Sequence, residues 1–268
     1  MDENAFKVKF NFQTWLKEDI DENDYNRIGS VLNMDAGIVK SLIIGFDKSV
    51  AEQASKLDED RVYLSQVDEL LDTKVIFIGD SITSDRESFA KIIAKVFAEH
   101  SGLEFIDAGV SGWRTTEFLD DFHFKVLAHE AQIAHVMLGT NGFRRSRLSY
   151  GKCNVSPMEF EQNIGYILDA LSENGTTTII STLPPYDLNS ETYDIGNWTI
   201  DTDDYEQYNR IIADSAAKHG SVLNDMRSVY AKHKAKDLLL DDGVHLNKVG
   251  QYILTEQVIK KLVKLLNK

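Results

Sequence analysis

The stretch KVIFIGDS, residues 74–81, decides how the chain is read. Valine, isoleucine and phenylalanine follow one another without polar interruption, which suits a short strand buried on both faces. Gly79, Asp80 and Ser81 then end the run with turn chemistry. Strands buried on both faces belong to parallel sheets, whose neighbours return through helices. That unit recurs downstream. SFAKIIAKVFAEH (88–100) carries Phe89, Ile92, Ile93, Val96 and Phe97 at helical spacing, and LEFIDAGV (103–110) predicts a second strand. A helix at 115–131, a strand at 135–141 and a helix at 156–174 follow. The last of these opens on Ser156, Pro157 and Glu159, in the positions that start a helix. TTTIISTLPP (176–185), a helix at 203–220, SVLNDM (221–226) and a closing helix at 247–268 complete the series. The alternation predicts right-handed βαβ units, an α/β fold around a parallel sheet occupying residues 74–268.

Residues 1–73 do not share this rhythm and read as a small N-terminal appendage of mixed strand and helix. KVKFNFQTW (7–15) alternates like a strand. Ile38, Leu42, Phe46, Val50, Ala54 and Leu57 recur at helical spacing, and KLDEDRVYLSQVDELLDT (56–73) adds a second helical pattern. A lid, an oligomerisation surface and a packing extension all remain open, packing being the simplest.

A chain of 268 residues with 43% hydrophobic content can bury one sizeable core and an appendage. Its net charge of -14 repels phosphate backbones and anionic lipid surfaces, which argues against nucleic-acid and membrane partners. The single cysteine, Cys153, excludes a disulfide framework and a zinc site built on several thiolates, and reads as a loop thiol. MDENAFKVKFNF lacks the basic-then-apolar order of a secretory signal, and no apolar run approaches a membrane span. The expectation is a cytoplasmic protein without membrane insertion; the oligomeric state is not legible.

Sites in open parallel sheets form where the carboxyl ends of strands meet the following loops. Asp80 and Ser81 stand at the first such end, Ser111 and Gly112 (in GVSGWRTT) beyond the second, and Asn141 (in GTNG) beyond the third. Asp242 and His245 precede the last helix. These residue types fit acyl transfer. Serine needs a base to take its proton, and His245 is the candidate. Asp242, three residues before it, can hold the second ring nitrogen, a spacing that its neighbour Asp241 lacks. An oxyanion needs converging donors; the Ser81 and Gly112 N–H groups and the Asn141 amide are candidates. Arg144, Arg145 and Arg147 follow on the same rim and could hold a substrate anion, although contacts to acidic neighbours explain them as well. Trp113 and Trp198, with Tyr186 and Tyr193, could stack on a sugar ring or simply pack their loops. The other histidines, at 100, 123, 129, 135, 219 and 233, read as surface or core residues without partners.

GDSIT, GVSGWRTT, GTNG and DGVHLN resemble the four motif blocks of the SGNH hydrolases, the GDSL-type esterases and lipases, over about residues 74–265. The resemblance implies a three-layer α/β/α, flavodoxin-like fold with a five-stranded parallel sheet. It implies Ser81 as nucleophile, His245 and Asp242 as base and orienter, and Ser81, Gly112 and Asn141 around the oxyanion hole. It also implies hydrolysis of small-molecule esters, among them lipase, lysophospholipase or thioesterase substrates, with no metal and no organic cofactor. A short acyl ester of a sugar or other polar alcohol is the expected substrate; the alternatives include an acyltransferase and a binding module that keeps the fold without the chemistry. One departure stands out: Gly142 occupies the place of the acid in the family's GxND block, which puts the order of that loop in question.

Overall fold

The computed structural model describes residues 1–12, 20–59, 62–67, 72–146, 151–187 and 198–267. Three helices come first: α1 (Glu3–Lys9), α2 (Tyr25–Leu32) and α3 (Ala36–Leu57). The α/β body begins with β1 (Thr73–Gly79), a single helical turn α4 (Ser81–Ser84), α5 (Phe89–Val96), β2 (Leu103–Asp107), α6 (Thr115–Lys125) and β3 (Ile133–Met137). It continues through the two-residue β4 (Arg145–Ser146), α7 (Pro157–Glu173), β5 (Thr177–Ser181), the two-residue β6 (Trp198–Thr199) and α8 (Thr202–Lys218). It ends with β7 (Val222–Asn224), α9 (Met226–Tyr230), α10 (Ala235–Leu238) and α11 (Lys248–Leu266).

Five strands form one sheet in the order β2-β1-β3-β5-β7, every neighbouring pair parallel. The order reverses at β1, and ligands bind beyond the strand ends at such a switch point. One face is covered by α5 and α11 through Ile92, Ile93, Leu254, Val258 and Leu262. The other is covered by α6, α7 and α8 through Phe118, Phe160, Ile164, Tyr208 and Ile212. This is the expected three-layer α/β/α architecture. The strands end at Asp107 and Met137; Ala108, Val110 and Leu138 lie buried just beyond them, and the Ala108 and Val110 N–H groups still donate to the Phe77 and Gly79 carbonyls of β1.

The helix starts are chemically marked. Ser156 accepts from the Glu159 N–H at 3.2 Å with Pro157 at the first helical position, and Asn247 caps α11 by accepting from the N–H groups of Val249 and Gly250. Pro157 costs nothing there, since the first turn has no internal acceptor for its missing N–H.

The appendage departs from its expected form. The alternating segment from Lys7 belongs to a helix as far as Lys9, not to a strand; residues 13–15 of that pattern lie outside the described residues. Asp2 caps α1 by accepting from Ala5, and Lys7 pairs with Glu3 one turn back. Strand alternation would turn Lys9 outward. Instead Lys9 is buried, with its ammonium between Asp85 at 2.7 Å and Glu87 at 2.6 Å. The α3 helix forms as expected but buries Val39, Ile43, Phe46, Val50 and Ala54, leaving Ile38 exposed. Val8, Ile28, Val39, Ile43 and Phe46 make a small core of their own. Of the second helical pattern, the described part holds a 3-10 turn, Leu64–Gln66; residues 60–61 and 68–71 lie outside the described residues.

Candidate active site

The loop after β1 turns sharply into α4. Asp80 caps that turn, its carboxylate accepting from the Ile82 N–H at 3.0 Å. Capping therefore falls to Asp80 and leaves the Ser81 hydroxyl for other contacts. Burial pushes the Asp80 carboxyl up, against the opposing pull of the Ile82 N–H and the charges of His245 and Arg144.

Ser81 Oγ lies 2.7 Å from His245 Nε2, across 164 residues of sequence. His245 Nδ1 lies 2.5 Å from Asp242 Oδ2. The other Asp242 oxygen accepts from the N–H groups of Val244 at 2.9 Å and His245 at 3.0 Å. Burial works to raise the Asp242 carboxyl, but the His245 charge and these hydrogen bonds outweigh it and hold it down to about 2. An ionised carboxylate only accepts, so Nδ1 carries the proton and Nε2 faces the serine as an acceptor. Asp241 projects outward with its side chain 87% exposed, so the acid at three-residue spacing, Asp242, is the one that meets His245.

The loops carrying Gly112 and Asn141 meet at the same end of the sheet. Gly112 has φ of 79°, a left-handed conformation that glycine adopts without a Cβ penalty. Asn141 Nδ2 donates to the Trp113 carbonyl at 3.0 Å and ties the two loops together. The Asn141 carbonyl in turn accepts from Asn154 Nδ2 at 2.9 Å. This answers the question raised by Gly142. Its N–H donates to the Gly139 carbonyl at 2.8 Å, and its carbonyl accepts from Val155 at 3.1 Å. A Cβ at Gly142 would meet Tyr208 at 3.1 Å, so that ring fills the space beside it. Tyr208, whose hydroxyl donates to the Val155 carbonyl, and Asn154 secure a loop without an acid. Asn154 carries no sequence signal of this role, because its partner is a backbone carbonyl.

The rim residues divide. Arg145 directs its guanidinium at Asp204, 3.0 Å away, and Asp201, 3.5 Å away, which neutralises it within the fold rather than offering it to a substrate anion. Arg144 is half-buried and adds a favourable charge to Asp80. Trp113 is partly buried, packing edge-on against Phe118 with Lys125 over its ring. Trp198 is partly buried on β6, which pairs with β4. Tyr186 bonds Thr202 and packs on Tyr205. Arg147 and Tyr193 lie outside the described residues. Burial and the Asp204 carboxylate push the Cys153 thiol up to about 11, which suits an inert loop thiol.

Three histidines expected to stand alone have partners: His100 Nδ1 accepts from the Gly102 N–H at 3.3 Å. His219 Nδ1 meets Asp169 at 2.6 Å on the surface. His135 Nε2 meets Ser181 Oγ at 2.7 Å inside the sheet, where burial pushes the imidazole down to about 3. The His135–Ser181 pair repeats the Ser–His chemistry with no route for a substrate, since both residues are almost fully buried.

Fold and site together define an SGNH-type α/β/α protein. The GDSL-like lipase/acylhydrolase family matches residues 77–253, and the chain belongs to that family. Among solved structures, the chain is similar to the lipase/acylhydrolase from Enterococcus faecalis, with TM-score 0.60, 18% identity, 72% of this chain and 96% of that one covered. It is similar to the acetyl xylan esterase AlAXEase, with TM-score 0.58, 19% identity, and 70% and 99% covered. A catalytic mutant of Axe2, an acetylxylan esterase from Geobacillus stearothermophilus, gives TM-score 0.58 at 18% identity, with 72% and 94% covered. At these identities the likeness shows the fold. The uncharacterized lipoprotein YqeF of Bacillus subtilis (strain 168) is 30% identical over 88 residues, which are 33% of this chain and 35% of YqeF.

Proposed function

We propose that the protein is a serine carboxylic-ester hydrolase that releases a short acyl group, such as acetyl, from a sugar or other polar alcohol. Ser81 Oγ attacks the ester carbonyl carbon while His245 Nε2 takes its proton. The negative charge passes to the carbonyl oxygen. There the N–H groups of Ser81 and Gly112 and an Asn141 amide hydrogen stabilise it; the Asn141 NH2 has two hydrogens and gives one to Trp113. Collapse breaks the bond to the alcohol, whose oxygen takes the proton from His245. Water, losing a proton to His245, then releases the acid and restores Ser81. Asp242 stays ionised throughout and balances the imidazolium.

The observation that carries this reading is the continuous hydrogen-bonded chain from Ser81 through His245 to Asp242, in a member of an acylhydrolase family. A binding module that had lost the chemistry would not need Ser81 within 2.7 Å of its base. The short acyl group draws support from the solved relatives named as acetylxylan esterases. A series of p-nitrophenyl esters tests it. The acetyl ester should turn over fastest, rates should fall as the acyl chain lengthens, and Ser81→Ala should abolish turnover in a folded protein. Faster turnover of long chains would point to a lipase; equal rates in both proteins would end the serine assignment.

A further inference from the structure

The family match begins at residue 77, so the N-terminal arm lies outside it, yet the arm reaches the candidate base. The Phe10 ring lies 4.0 Å from the His245 ring, centroid to centroid, with the planes 33° apart. Phe6 meets the same imidazole edge-on at 5.5 Å and packs on Phe10 at 4.7 Å. Phe10 has no solvent exposure.

The arm is fastened to the site loops themselves. Lys9 is held by Asp85 and Glu87, just beyond the Ser81 turn. Asn11 Nδ2 donates to the Ser84 carbonyl at 2.5 Å. The Arg86 N–H donates to the Lys9 carbonyl at 2.9 Å, and Arg86 Nε donates to the Val8 carbonyl at 3.1 Å. Ser111, which precedes Gly112, donates its hydroxyl to the Phe10 carbonyl. A hinged lid would be fastened at one end; this segment is bonded along its length to the loops carrying Ser81 and Gly112.

We propose that Phe10 is a positioning residue for His245, and that Lys9, Asp85 and Glu87 form the anchor that holds it there. Two hydrogen bonds fix the imidazole within its plane, but a rotation about its Cβ–Cγ bond breaks both. A packed ring across one face blocks that rotation. It also keeps water off the bond to Ser81 and presents a π-face to the imidazolium formed during turnover. Residues 1–12 are then a working part of the site rather than a packing extension.

This inference rests on the esterase reading, and the test separates the two. A fluorophosphonate probe labels a serine activated by its base and needs no natural substrate. Parent protein, Phe10→Leu and Ser81→Ala are compared by labelling rate and by kcat and KM on p-nitrophenyl acetate, counting only sites that label. Leucine keeps an apolar filler but removes the flat face. Phe10→Leu should label about tenfold more slowly and lose kcat by the same factor, with KM within about twofold, because small misplacements of reacting groups cost rate rather than binding. The downfield Nδ1 proton resonance of His245 should also broaden or vanish in that variant while the protein remains folded. Parent-like labelling and kcat in Phe10→Leu would overturn the positioning role alone. No labelling of the parent protein would overturn the esterase reading and this proposal with it.

Discussion

The Asp242–His245 turn and the N-terminal arm meet at the same imidazole but are built in opposite ways. The turn is local. Its carboxylate, its ring and the two backbone N–H groups that fix the carboxylate fall within four consecutive residues. The arm is held entirely by distant partners, with 78 residues between Lys9 and Glu87 and 101 between Phe10 and Ser111. A local constellation survives as a pattern in sequence. A long-range one leaves only residues that look ordinary where they stand.

The sharpest blow to the local half is Asp242→Asn. The amide keeps an oxygen for the Val244 and His245 N–H groups, so the turn should persist, while the wrong tautomer of His245 becomes available. We expect kcat on p-nitrophenyl acetate to fall by about 10³–10⁴-fold, as in other triads. The same residue carries an acid signature. Its folded carboxyl is depressed from 3.8 to about 2, so the stability it contributes is present above about pH 4 and is lost as pH falls through about 2. Acid unfolding of the parent and the Asn variant should therefore converge over that window; parallel curves would remove the ionised Asp242 from the account.

The long-range half is broken by Lys9→Met, which leaves Asp85 buried without its cation and Glu87 with Lys248 alone, 3.4 Å away. Removing one partner of a buried ion pair typically costs about 3–5 kcal/mol, read as a lower urea midpoint. Burial opposes the charge on Lys9, but the Asp85 and Glu87 carboxylates outweigh it and raise its pKa, in keeping with a cation held charged inside the fold. A loss below about 1 kcal/mol would mean that the arm is fastened by its other bonds and that this cluster is not its anchor.

Ser156→Ala is the smallest expected effect and the control for locality. It removes one N-cap from α7 and should cost about 1 kcal/mol with unchanged kcat. A kcat that fell with it would mean that α7 couples to the site, blurring the contrast between local and long-range parts.

Much of the α/β body could be read in advance because its signals are short-range. Strands buried on both faces, the Ser156–Pro157–Glu159 start of α7 and the three-residue spacing of Asp242 and His245 each state their structure within a few neighbours. Even Ser81, 164 residues from His245, was legible once a parallel sheet placed it at a strand end, with His245 in the turn before the last helix. Features decided elsewhere in the chain were not. Lys9 looked like the polar member of a strand until Asp85 and Glu87 supplied the charge that lets it be buried. The substitution at Gly142 looked like a loosened loop until Tyr208 and Asn154 were seen to secure it. Arg145 looked available on the rim, yet Asp204 comes from a helix 59 residues away.

The central claim is that Ser81 forms a covalent acyl intermediate. Acid-quenched samples taken during turnover of p-nitrophenyl acetate, digested and weighed by mass spectrometry, test it directly. The account predicts one acetyl group on the peptide containing Ser81, accumulating within the burst and absent from Ser81→Ala. An acetyl group on another residue, or hydrolysis that persists in Ser81→Ala, would contradict it.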